Sequence, residues 1–449
     1  NAMAGVINII TKKQKTDGMS ATLGTSYGSY NTQKYYGTFG FKDKKLNAFA
    51  SANYSHTDGI REKTDFNIGN GYLKVGYDIN EHLSVTADAD LAKYIGNDNG
   101  KISAPTLFGI DITRGKAAAS FDNKYKNSEG SVKIFHNFGE HTLTNGFHST
   151  DFNSGLMLYQ SFRLFEGNLL TVGTDIKNYG GQANQGVHRD TLLQVTEAGF
   201  YIYAQQKLLD KLTLTAGLRS EFHPVYPAEL IPTVGANYNL NDNSTLKASF
   251  SKGFRSPTLM ELYLYAPNPT LKPEKMYNYE IGWMQSLMNN KLNLELNAYY
   301  INAENLIQVV GGPIPTRQNT GAVTNYGLEF SGKYAVLKNL FVHANYSYLH
   351  TSTRILAAPT HQANISANYR YKIWSANVAV QHIEGLYTLM SPASASQNYT
   401  LVNLRLAAQP LKHLEVFAMG NNLLNQRYEI NDGYPMPGIN VLGGIKLSF

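Results

Sequence analysis

The last eleven residues of the chain, 439–449, alternate between two kinds of side chain with the period of a β-strand. One face carries Ile439, Val441, Gly443, Ile445, Leu447 and Phe449, and the other carries Asn440, Leu442, Gly444, Lys446 and Ser448. A strand that is apolar on one side up to a terminal aromatic residue is typical of the wall of a membrane barrel. A single strand of this kind also suits the edge of a β-sandwich, so the fold depends on whether the pattern repeats.

The same alternation recurs from Gly18 onward in stretches of about ten residues, the length that a tilted strand needs to cross a bilayer. Apolar faces are formed, for example, by Leu83, Val85, Ala87, Ala89 and Leu91, by Leu292, Leu294, Leu296 and Ala298, and by Val402, Leu404 and Leu406. No helical period of comparable length appears. The repeated pattern therefore favours a large closed sheet.

The connections between these stretches alternate between two lengths. Tight turns rich in Asn, Asp, Gly and Lys are predicted at 41–46, 78–82, 125–130, 165–168, 207–211, 239–244, 287–291, 336–339, 369–372 and 410–413. Longer loops are predicted at 28–31, 57–65, 95–111, 139–153, 177–191, 222–230, 254–275, 303–322, 351–359, 385–398 and 428–438. Ten turns and eleven loops imply 22 strands. The predicted fold class is all-β, a 22-stranded antiparallel transmembrane β-barrel of outer-membrane type over residues 18–449.

Composition is compatible with this fold. The chain has 449 residues with 31 Tyr, 20 Phe and 39 Gly, but only 16% are charged, below the usual level of about 25%. Aromatic girdles around a polar lumen explain this combination, although a soluble all-β protein can share it. The absence of Cys excludes a disulfide scaffold and a thiolate metal site. The charge of +6 includes no basic block of the kind that binds nucleic acid.

Residues 1–13 differ from the rest of the chain. Ala4–Thr11 has the pattern of a short buried strand, whereas Asn1–Met3 is either native or derived from a cleaved tag. No secretory signal peptide is recognisable.

Four segments, in this order along the chain, resemble the TonB-dependent outer-membrane receptors. They are GVINIIT at 5–11, which resembles the end of the family's plug domain; GFRSP…EL…NPTLKPE within 253–274; NNLLN…YE…GYP.PG within 421–438; and the closing Phe449, which resembles the signal read by the barrel-assembly machinery. The resemblance covers essentially the whole chain.

The resemblance implies active import of a scarce, large solute, namely a metal chelate such as a ferric siderophore or cobalamin. The short loops slightly favour the cobalamin type. In this family a plug fills the lumen, and a TonB box at the N-terminus is pulled by the TonB complex. Residues 1–13 are interpreted as the C-terminal remnant of such a plug, so this polypeptide is not expected to couple to TonB. Without a filled lumen, the barrel is expected to be an open, weakly selective pore in planar bilayers.

The loop at 254–275 carries the first candidate ligand-binding residues, Arg255, Glu261, Tyr263 and Tyr265. Aromatic rings can stack on a ligand and a fixed arginine can pair with it. The preferred alternative is structural, with Pro and Asn fixing the path of the loop and Arg255 and Glu274 neutralising luminal charges. Haem receptors of the family usually carry a His within this block. Residues 258–267 contain none, which counts against haem.

A second set of candidates lies in two other long loops, at His141, His148 and Asp151 and at His188 and Arg189. Histidine and carboxylate ligands suit zinc or copper. However, the spacing of His141 and His148 is not a recognised chelating spacing, so solvated loop residues are the preferred interpretation. Neither a metal site nor a cofactor is predicted.

Two further features have structural interpretations. Asn97-Asp98-Asn99-Gly100 has oxygen ligands for calcium but lacks the other spaced acidic positions of a calcium loop, so a turn is predicted. Six tyrosines near strand ends are assigned to the aromatic girdle: Tyr299, Tyr300, Tyr346, Tyr348, Tyr369 and Tyr371.

No catalytic signature such as G-x-S-x-G, H-E-x-x-H or a P-loop occurs, so the chain is not predicted to be an enzyme. Two alternatives to TonB-dependent import remain: a passive porin-like or structural barrel, and an outer-membrane hydrolase. The expected location is the bacterial outer membrane. Expected partners are the TonB complex, a metal-chelate ligand, outer-membrane lipid and lipopolysaccharide, and the barrel-assembly machinery, but not nucleic acid.

Overall fold

The alternating segments of the sequence pair into one closed antiparallel sheet in the computed structural model of the protein. The structure describes residues 11–310, 315–390 and 394–449. Most of the predicted plug remnant, including Asn1–Met3 and nearly all of Ala4–Thr11, lies outside the described residues.

In the described part of the chain, 22 strands form the barrel and two short strands form a separate hairpin. The barrel strands are β1 (Gly18–Gly28), β2 (Thr32–Asp43), β3 (Leu46–Thr57), β4 (Phe66–Asp78), β5 (Leu83–Lys101), β6 (Ala104–Lys124), β7 (Ser128–Leu143), β8 (His148–Phe162), β9 (Asn168–Ala183), β10 (Leu193–Leu208), β11 (Leu212–Phe222), β12 (Glu229–Asn241), β13 (Ser244–Arg255), β14 (Glu274–Leu287), β15 (Leu292–Val310), β16 (Thr316–Leu337), β17 (Leu340–Thr351), β18 (His361–Tyr371), β19 (Trp374–Leu389), β20 (Ala395–Leu411), β21 (Leu414–Asn421) and β24 (Asn440–Ser448). The small hairpin consists of β22 (Glu429–Asn431) and β23 (Tyr434–Pro435). The predicted fold class and strand number are confirmed.

The first and last strands of the barrel pair with each other. β1 and β24 are antiparallel, with Leu23 opposite Leu447. Beyond the last paired strand residue, Phe449 donates its N–H to the Ala21 carbonyl at 2.8 Å and accepts the Ala21 N–H at 3.1 Å. Its ring stacks on His413 with centroids 5.7 Å apart. The terminal residue thus completes the seam, while its role as an assembly signal stays a prediction.

The two faces of each strand meet different surroundings, as the alternation predicts. The apolar set from Leu83 to Leu91 faces outward, whereas Asp88 and Asp90 face the lumen, where Lys116 Nζ lies 3.0 Å from Asp90 Oδ2. Outward apolar side chains lose contact with water only when lipid covers them, because the described residues form no protein layer outside the sheet. The wall is therefore built for a bilayer.

Five of the six tyrosines assigned to the girdle lie on the outward face, at Tyr300, Tyr346, Tyr348, Tyr369 and Tyr371. Tyr299 has the opposite parity to its neighbour Tyr300 and points to the lumen, so its assignment was wrong. Two adjacent tyrosines in a strand cannot both face lipid.

All ten predicted tight turns connect strands at one end of the barrel, and the eleven connections predicted as longer loops lie at the other. In outer-membrane barrels the short turns are periplasmic and the long loops extracellular, which orients the chain.

Several predicted long loops are shorter than the sequence indicated. The segments 95–101 and 104–111 continue β5 and β6, and 139–143 and 148–153 continue β7 and β8. In the predicted loop at 177–191, residues 177–183 belong to β9. The predicted loops at 303–322 and 385–398 begin and end within the flanking strands, and 311–314 and 391–393 lie outside the described residues. Above the membrane both faces of a hairpin meet water, so the ladder of backbone hydrogen bonds continues without any apolar alternation.

Helical structure in the described residues is limited to a turn at Ser29–Asn31 and one wide turn at Met260–Leu264. Within the described ranges, no helix is long and apolar enough to cross a membrane.

The segment just before β1 lies against the inner wall. Thr11 Oγ1 accepts the hydroxyl of Tyr72 at 2.9 Å and the ammonium of Lys74 at 3.1 Å. The Gln14 carbonyl accepts a hydrogen bond from the Asn47 side chain. Tyr72, Lys74 and Asn47 all lie at strand positions that point into the lumen. This segment therefore enters the barrel from the periplasmic end.

The outward and luminal faces should differ in how much a new charge at the same height changes stability. Ile281, which is 60% exposed, points outward near the middle of β14, and Ser249 points inward on the adjacent rung beside Glu280. Ile281→Arg should destabilise the barrel by about 2–4 kcal/mol, the usual effect of a charge at the lipid midplane. Ser249→Arg, which gains an acidic neighbour, should change stability much less. Urea unfolding in lipid vesicles measures both. Equal losses would contradict the assigned faces.

Candidate ligand site at the extracellular mouth

The loop between β13 and β14 is anchored at its base by ion pairs. Arg255 and Glu274 are opposite each other across the two strands, and Arg255 Nε donates to Glu274 Oε2 at 2.5 Å. The same guanidinium donates to both carboxylate oxygens of Glu261, at 3.0 and 3.2 Å. Glu274 Oε1 accepts the N–H of Ile307 on β15 at 2.8 Å. The network ties the loop at 256–273 to three neighbouring strands.

Glu261 also organises the loop internally. Its Oε2 accepts the N–H and the hydroxyl of Thr258, at 2.7 and 3.0 Å, while Thr258 Oγ1 accepts the N–H of Glu261 at 3.2 Å. This reciprocal arrangement resembles a capping box and begins the turn Met260–Leu264, in which Leu262 is 1% exposed. Burial by itself raises the pKa of Glu261, but the hydrogen bonds from Arg255 and Thr258 and the arginine charge outweigh it. The pKa therefore lies below its ordinary value.

These contacts bear on two of the candidate ligand-binding residues. The donors of Arg255 and the acceptors of Glu261 already form hydrogen bonds within the loop and at its base. A ligand that paired with either residue would have to displace an existing ion pair. This geometry favours the structural interpretation of both residues. Their part in ligand binding stays a prediction.

The loop that follows β9 contacts the loop that follows β13. The N–H of Val187 donates to the Leu264 carbonyl at 3.3 Å. The rings of His188 and Tyr263 meet edge to face with centroids 6.2 Å apart. The structure thus brings together two candidates that the sequence places 75 positions apart.

Two other candidates border this contact and reach solvent. Arg189 is 73% exposed at its side chain and has one ion-pair contact, 3.4 Å to its neighbour Asp190. Tyr265 is exposed, and its carbonyl is bound by the guanidinium of Arg317. Both side chains are accessible to an approaching ligand.

The pair of histidines in the next part of the wall does not converge. His141 is opposite Ser149 and His148 is opposite Thr142, so the two imidazoles point to opposite faces of the sheet. Asp151 shares the luminal face with His141, whose Nε2 lies 3.7 Å from Asp151 Oδ2. Asp151 also pairs with Arg114 at 2.5 Å. The predicted loop is a hairpin here, and the alternation of its strands separates the histidines.

Sequence reasoning missed a luminal ion-pair ladder beneath these loops. Arg219 donates to both oxygens of Asp175, at 2.6 and 3.0 Å, and its Nε donates to Glu221 at 2.7 Å. Lys177 Nζ lies 3.2 Å from Asp175. The sequence does show that charged residues occupy alternate positions in β9 and β11. Only the pairing of both strands with β10 shows that these charged faces lie next to each other.

A buried histidine lies directly above this ladder. Glu197 is 2% exposed and accepts the hydroxyl of Tyr179 at 2.7 Å. The side chain of His223 is fully buried, with Nε2 at 3.6 Å from Glu197 Oε1. Because Nδ1 accepts the N–H of Val225 at 3.1 Å, the neutral ring carries its proton on Nε2, facing the carboxylate. Burial lowers the pKa of His223, and the charge of Glu197 opposes this shift.

Tyr226 connects two loops of the mouth. Its ring stacks on His223 with centroids 4.2 Å apart and planes inclined by 4°. The hydroxyl of Tyr226 is 2.5 Å from Ser256 Oγ. Burial raises the pKa of Tyr226, so its phenol stays protonated at neutral pH. The connections after β9, β11 and β13 therefore form one packed rim.

The last connection, 422–439, folds against the inner wall. Tyr428 stacks on Tyr399 with centroids 4.3 Å apart and packs on the apolar cluster that Tyr399 forms with Ile383, Leu386 and Leu401. Ile383, Tyr399 and Leu401 alternate with the lipid-facing residues of β19 and β20, and the register shift after Ile383 brings Leu386 to the same luminal face. The connection thus covers part of the mouth.

The contacts of Asn422 give a structural reason for part of the NNLLN motif at 421–425. Its side-chain amide donates to the carbonyls of Gln426 and Pro437, at 2.9 and 3.0 Å, and its oxygen accepts the Gln426 N–H at 2.9 Å. Its own N–H donates to Asn403 Oδ1 at 2.9 Å. The motif therefore fixes the path of the chain.

The tip of the β5–β6 hairpin reaches this connection. Lys101 Nζ pairs with Asp432 Oδ2 at 3.0 Å, and the N–H of Ile102 donates to the Gly433 carbonyl at 3.0 Å. Two connections on one side of the mouth are thereby joined, opposite the packed rim. Across the described residues, no group of three or more His, Cys, Asp or Glu side chains is arranged to hold a metal ion.

A closed antiparallel barrel of 22 strands with lipid-facing apolar side chains and packed extracellular loops is an outer-membrane β-barrel. Residues 9–423 match a protein family described as TonB dependent receptor-like, beta-barrel. The chain belongs to this family, and the resemblance of its motifs is confirmed.

Individual relatives are distant in sequence. A vitamin B12 transporter, BtuB, of Vibrio vulnificus is 23% identical over 351 residues, covering 76% of this chain and 51% of that protein. A ferric-pyoverdine 358 receptor of Pseudomonas putida is 24% identical over 182 residues, covering 35% of this chain and 21% of that protein. The chain thus spans about half, or less, of the length of these curated relatives.

Solved structures share the fold across the whole chain. The siderophore receptor PirA from Pseudomonas aeruginosa superposes with a TM-score of 0.84 at 16% sequence identity. The superposition covers 99% of this chain and 83% of that structure. At this level of identity the likeness establishes the architecture of the barrel.

The lowered pKa of Glu261 gives a test of the loop anchor. Because the folded value lies below the unfolded one, its stabilisation is complete above the unfolded pKa, about 4.3 for Glu, and is lost as the pH falls through the folded value. Pepsin should therefore cleave loop 256–273 faster as the pH falls from about 4 toward 2, after normalising for the activity of pepsin on a reference peptide.

The variant Glu261→Gln cannot titrate and provides the control. It should be cleaved at nearly the same normalised rate at every pH, and faster than the parent protein at pH 4. An equally steep pH profile in both proteins would show that another group anchors the loop.

Proposed function

We propose that this barrel belongs to a receptor that imports a metal chelate, of the ferric-siderophore or cobalamin type, across the bacterial outer membrane with energy from the TonB complex. Membership of the receptor family is the observation that carries the proposal. The names of the relatives support the substrate class, since they include a vitamin B12 transporter and a ferric-pyoverdine receptor.

The geometry of the mouth supports a binding function for its loops. Three connections pack into one rim through His223, Tyr226 and the contact of His188 with Tyr263. A pre-organised surface binds a large ligand with less loss of conformational entropy than separate flexible loops. The rim is therefore suited to a receptor.

Among the candidate residues, the exposed His188, Arg189 and Tyr265 and the half-buried Tyr263 fit ligand contact best. They combine exposed aromatic surface with a cation that has only one weak partner. Arg255 and Glu261 would act indirectly, by holding the loop that presents Tyr263. His141 and Asp151 line the lumen below the rim, whereas His148 faces outward and fits ligand binding poorly.

The partners follow from the proposed import cycle and location. The TonB complex would act through a plug and TonB box, to which residues 1–13 would connect the barrel. Outer-membrane lipid and lipopolysaccharide would surround the wall, and the barrel-assembly machinery would read the C-terminal strand with Phe449. The protein is proposed to be a transporter without enzymatic activity. The passive porin-like alternative gains no support from the relatives.

Energy coupling is tested in bacteria. Cells that lack their own receptors and express the full-length protein should grow on a ferric siderophore or cobalamin as the limiting source when TonB is present. They should not grow when TonB is deleted. Equal growth with and without TonB would overturn active import and favour passive passage.

The binding residues are tested on purified protein with the chelate that supports growth. The double variant His188→Ala/Tyr263→Ala should weaken binding about tenfold, because two aromatic contacts together contribute on the order of 1–2 kcal/mol. Tyr346→Ala on the lipid face provides the control and should leave the dissociation constant unchanged. Unchanged affinity in the double variant would move the site to other loops.

A further inference from the structure

Two consecutive luminal rungs of β15–β18 carry only carboxylate, hydroxyl and amide side chains. Residues directly opposite each other across the four strands form the rungs Glu295, Ser331, Asn345, Asn364 and Asn297, Glu329, Ser347, Gln362. Asn297 has the same parity as the luminal Tyr299, so both rungs point into the lumen. All eight side chains line one groove of about 420 Å³. We call it the luminal groove.

Most side chains of the luminal groove have unused hydrogen-bonding groups. Glu295 is paired with Lys247, whose Nζ lies 3.6 Å from Glu295 Oε1. Within the described part of the chain, the other seven form no hydrogen bond and no ion pair. The luminal wall of β9–β11 differs, because Arg219 there is bound to both Asp175 and Glu221. The donors and acceptors of the luminal groove are therefore available to another molecule.

The chain segment that enters the lumen lies elsewhere. Thr11 contacts Tyr72 and Lys74 on β4, and Gln14 contacts Asn47 on β3. β4 and β15 are eleven strands apart in the ring of 22, which is half the circumference of the barrel. The described residues thus leave the luminal groove open.

One end of the luminal groove adjoins the cover of the mouth. Gln362 is opposite Ile383 on β19. Ile383 belongs to the apolar cluster on which Tyr428 of the connection 422–439 packs. A solute that moves inward past this connection would meet the luminal groove next.

The lining defines the kind of molecule that fits. Amide and hydroxyl side chains match amide groups, because both sides can donate and accept hydrogen bonds. The charged members of the lining are both carboxylates, and only Glu295 has a cationic partner. Lys333 follows on the next rung toward the periplasm but does not line the groove. Carboxylates repel a polyanionic chelate, so the lining suits a neutral or cationic one.

We propose that the luminal groove is a second binding site for the imported solute, and that this solute is a neutral or cationic chelate with amide groups at its surface. The inference rests on the proposed import function and narrows its substrate class. The groove would hold one edge of the chelate through several separate hydrogen bonds. Such a site suits passage, because a solute must bind well enough to enter and weakly enough to leave.

The test measures how long single solute molecules occupy the pore of the 449-residue chain in planar bilayers. The probe is cyanocobalamin, a neutral chelate with amides around its ring. Two variants each replace three luminal amides by leucine, within the groove or outside it. The groove variant is Asn345→Leu/Gln362→Leu/Asn364→Leu, and the control variant is Asn53→Leu/Asn70→Leu/Asn137→Leu. Heat-modifiable migration in gels verifies that each barrel is folded.

Cyanocobalamin should block the current through the parent and the control variant for similar times. Blockades of the groove variant should be shorter by about tenfold or more, because three hydrogen-bonding partners are lost. Isothermal titration calorimetry of the same proteins gives the same comparison as a ratio of dissociation constants. Equal effects in both variants, or no binding to the parent in either measurement, would overturn the luminal site.

Ferric enterobactin, a polyanionic chelate, tests the charge of the solute. Its blockades of the parent should be much shorter than those of cyanocobalamin. Longer blockades that disappear in the groove variant would overturn the assignment of a neutral or cationic solute. The growth test separates this inference from the proposed function. TonB-dependent growth without any binding in the groove would overturn the luminal site alone, whereas growth that does not depend on TonB would overturn active import itself.

Discussion

The structure depends on one constraint: within lipid, every backbone N–H and C=O must find its partner inside the protein. A sheet satisfies this requirement only when it has no edge. Pairing of β1 with β24, completed by the two hydrogen bonds between Ala21 and Phe449, removes the edge. All other features of the chain are arranged on a wall that this closure makes possible, including the apolar outer face, the water-facing lumen and the separation of turns from loops.

The lumen has its own organisation because its side chains are not packed as an apolar core. Ion pairs join neighbouring strands on the inner wall, as Arg219 with Asp175 and Glu221 and Lys116 with Asp90 illustrate. Partial burial makes each such pair costly to break, since the remaining partner would keep an uncompensated charge. Small apolar clusters form only where a connection folds back on the wall, as Tyr428 does against Tyr399. The luminal side chains thus stabilise the wall through local pairs and not through a common apolar core.

At the mouth, the same chemistry serves the loops. The pairs of Arg255 with Glu274 and Glu261, and the stack of His223 on Tyr226, turn separate connections into a rigid rim. Most of the charged side chains described here form ion pairs that hold this rim together. Residues with weaker individual interactions, such as His188 and Tyr265, face solvent. The rim therefore separates positioning residues from ligand-facing residues.

The sequence by itself determined the closed sheet, the number of strands and the position of every tight turn. Each depends on local chemistry: alternation with a period of two, and turn residues between the strands. It did not determine where the extracellular hairpins end, because beyond the membrane neither face needs to be apolar. Nor did it distinguish His141 from His148 or pair Arg219 with Asp175. The faces of His141 and His148 depend on the position of the turn between β7 and β8. The pairing of Arg219 with Asp175 depends on register across β9, β10 and β11.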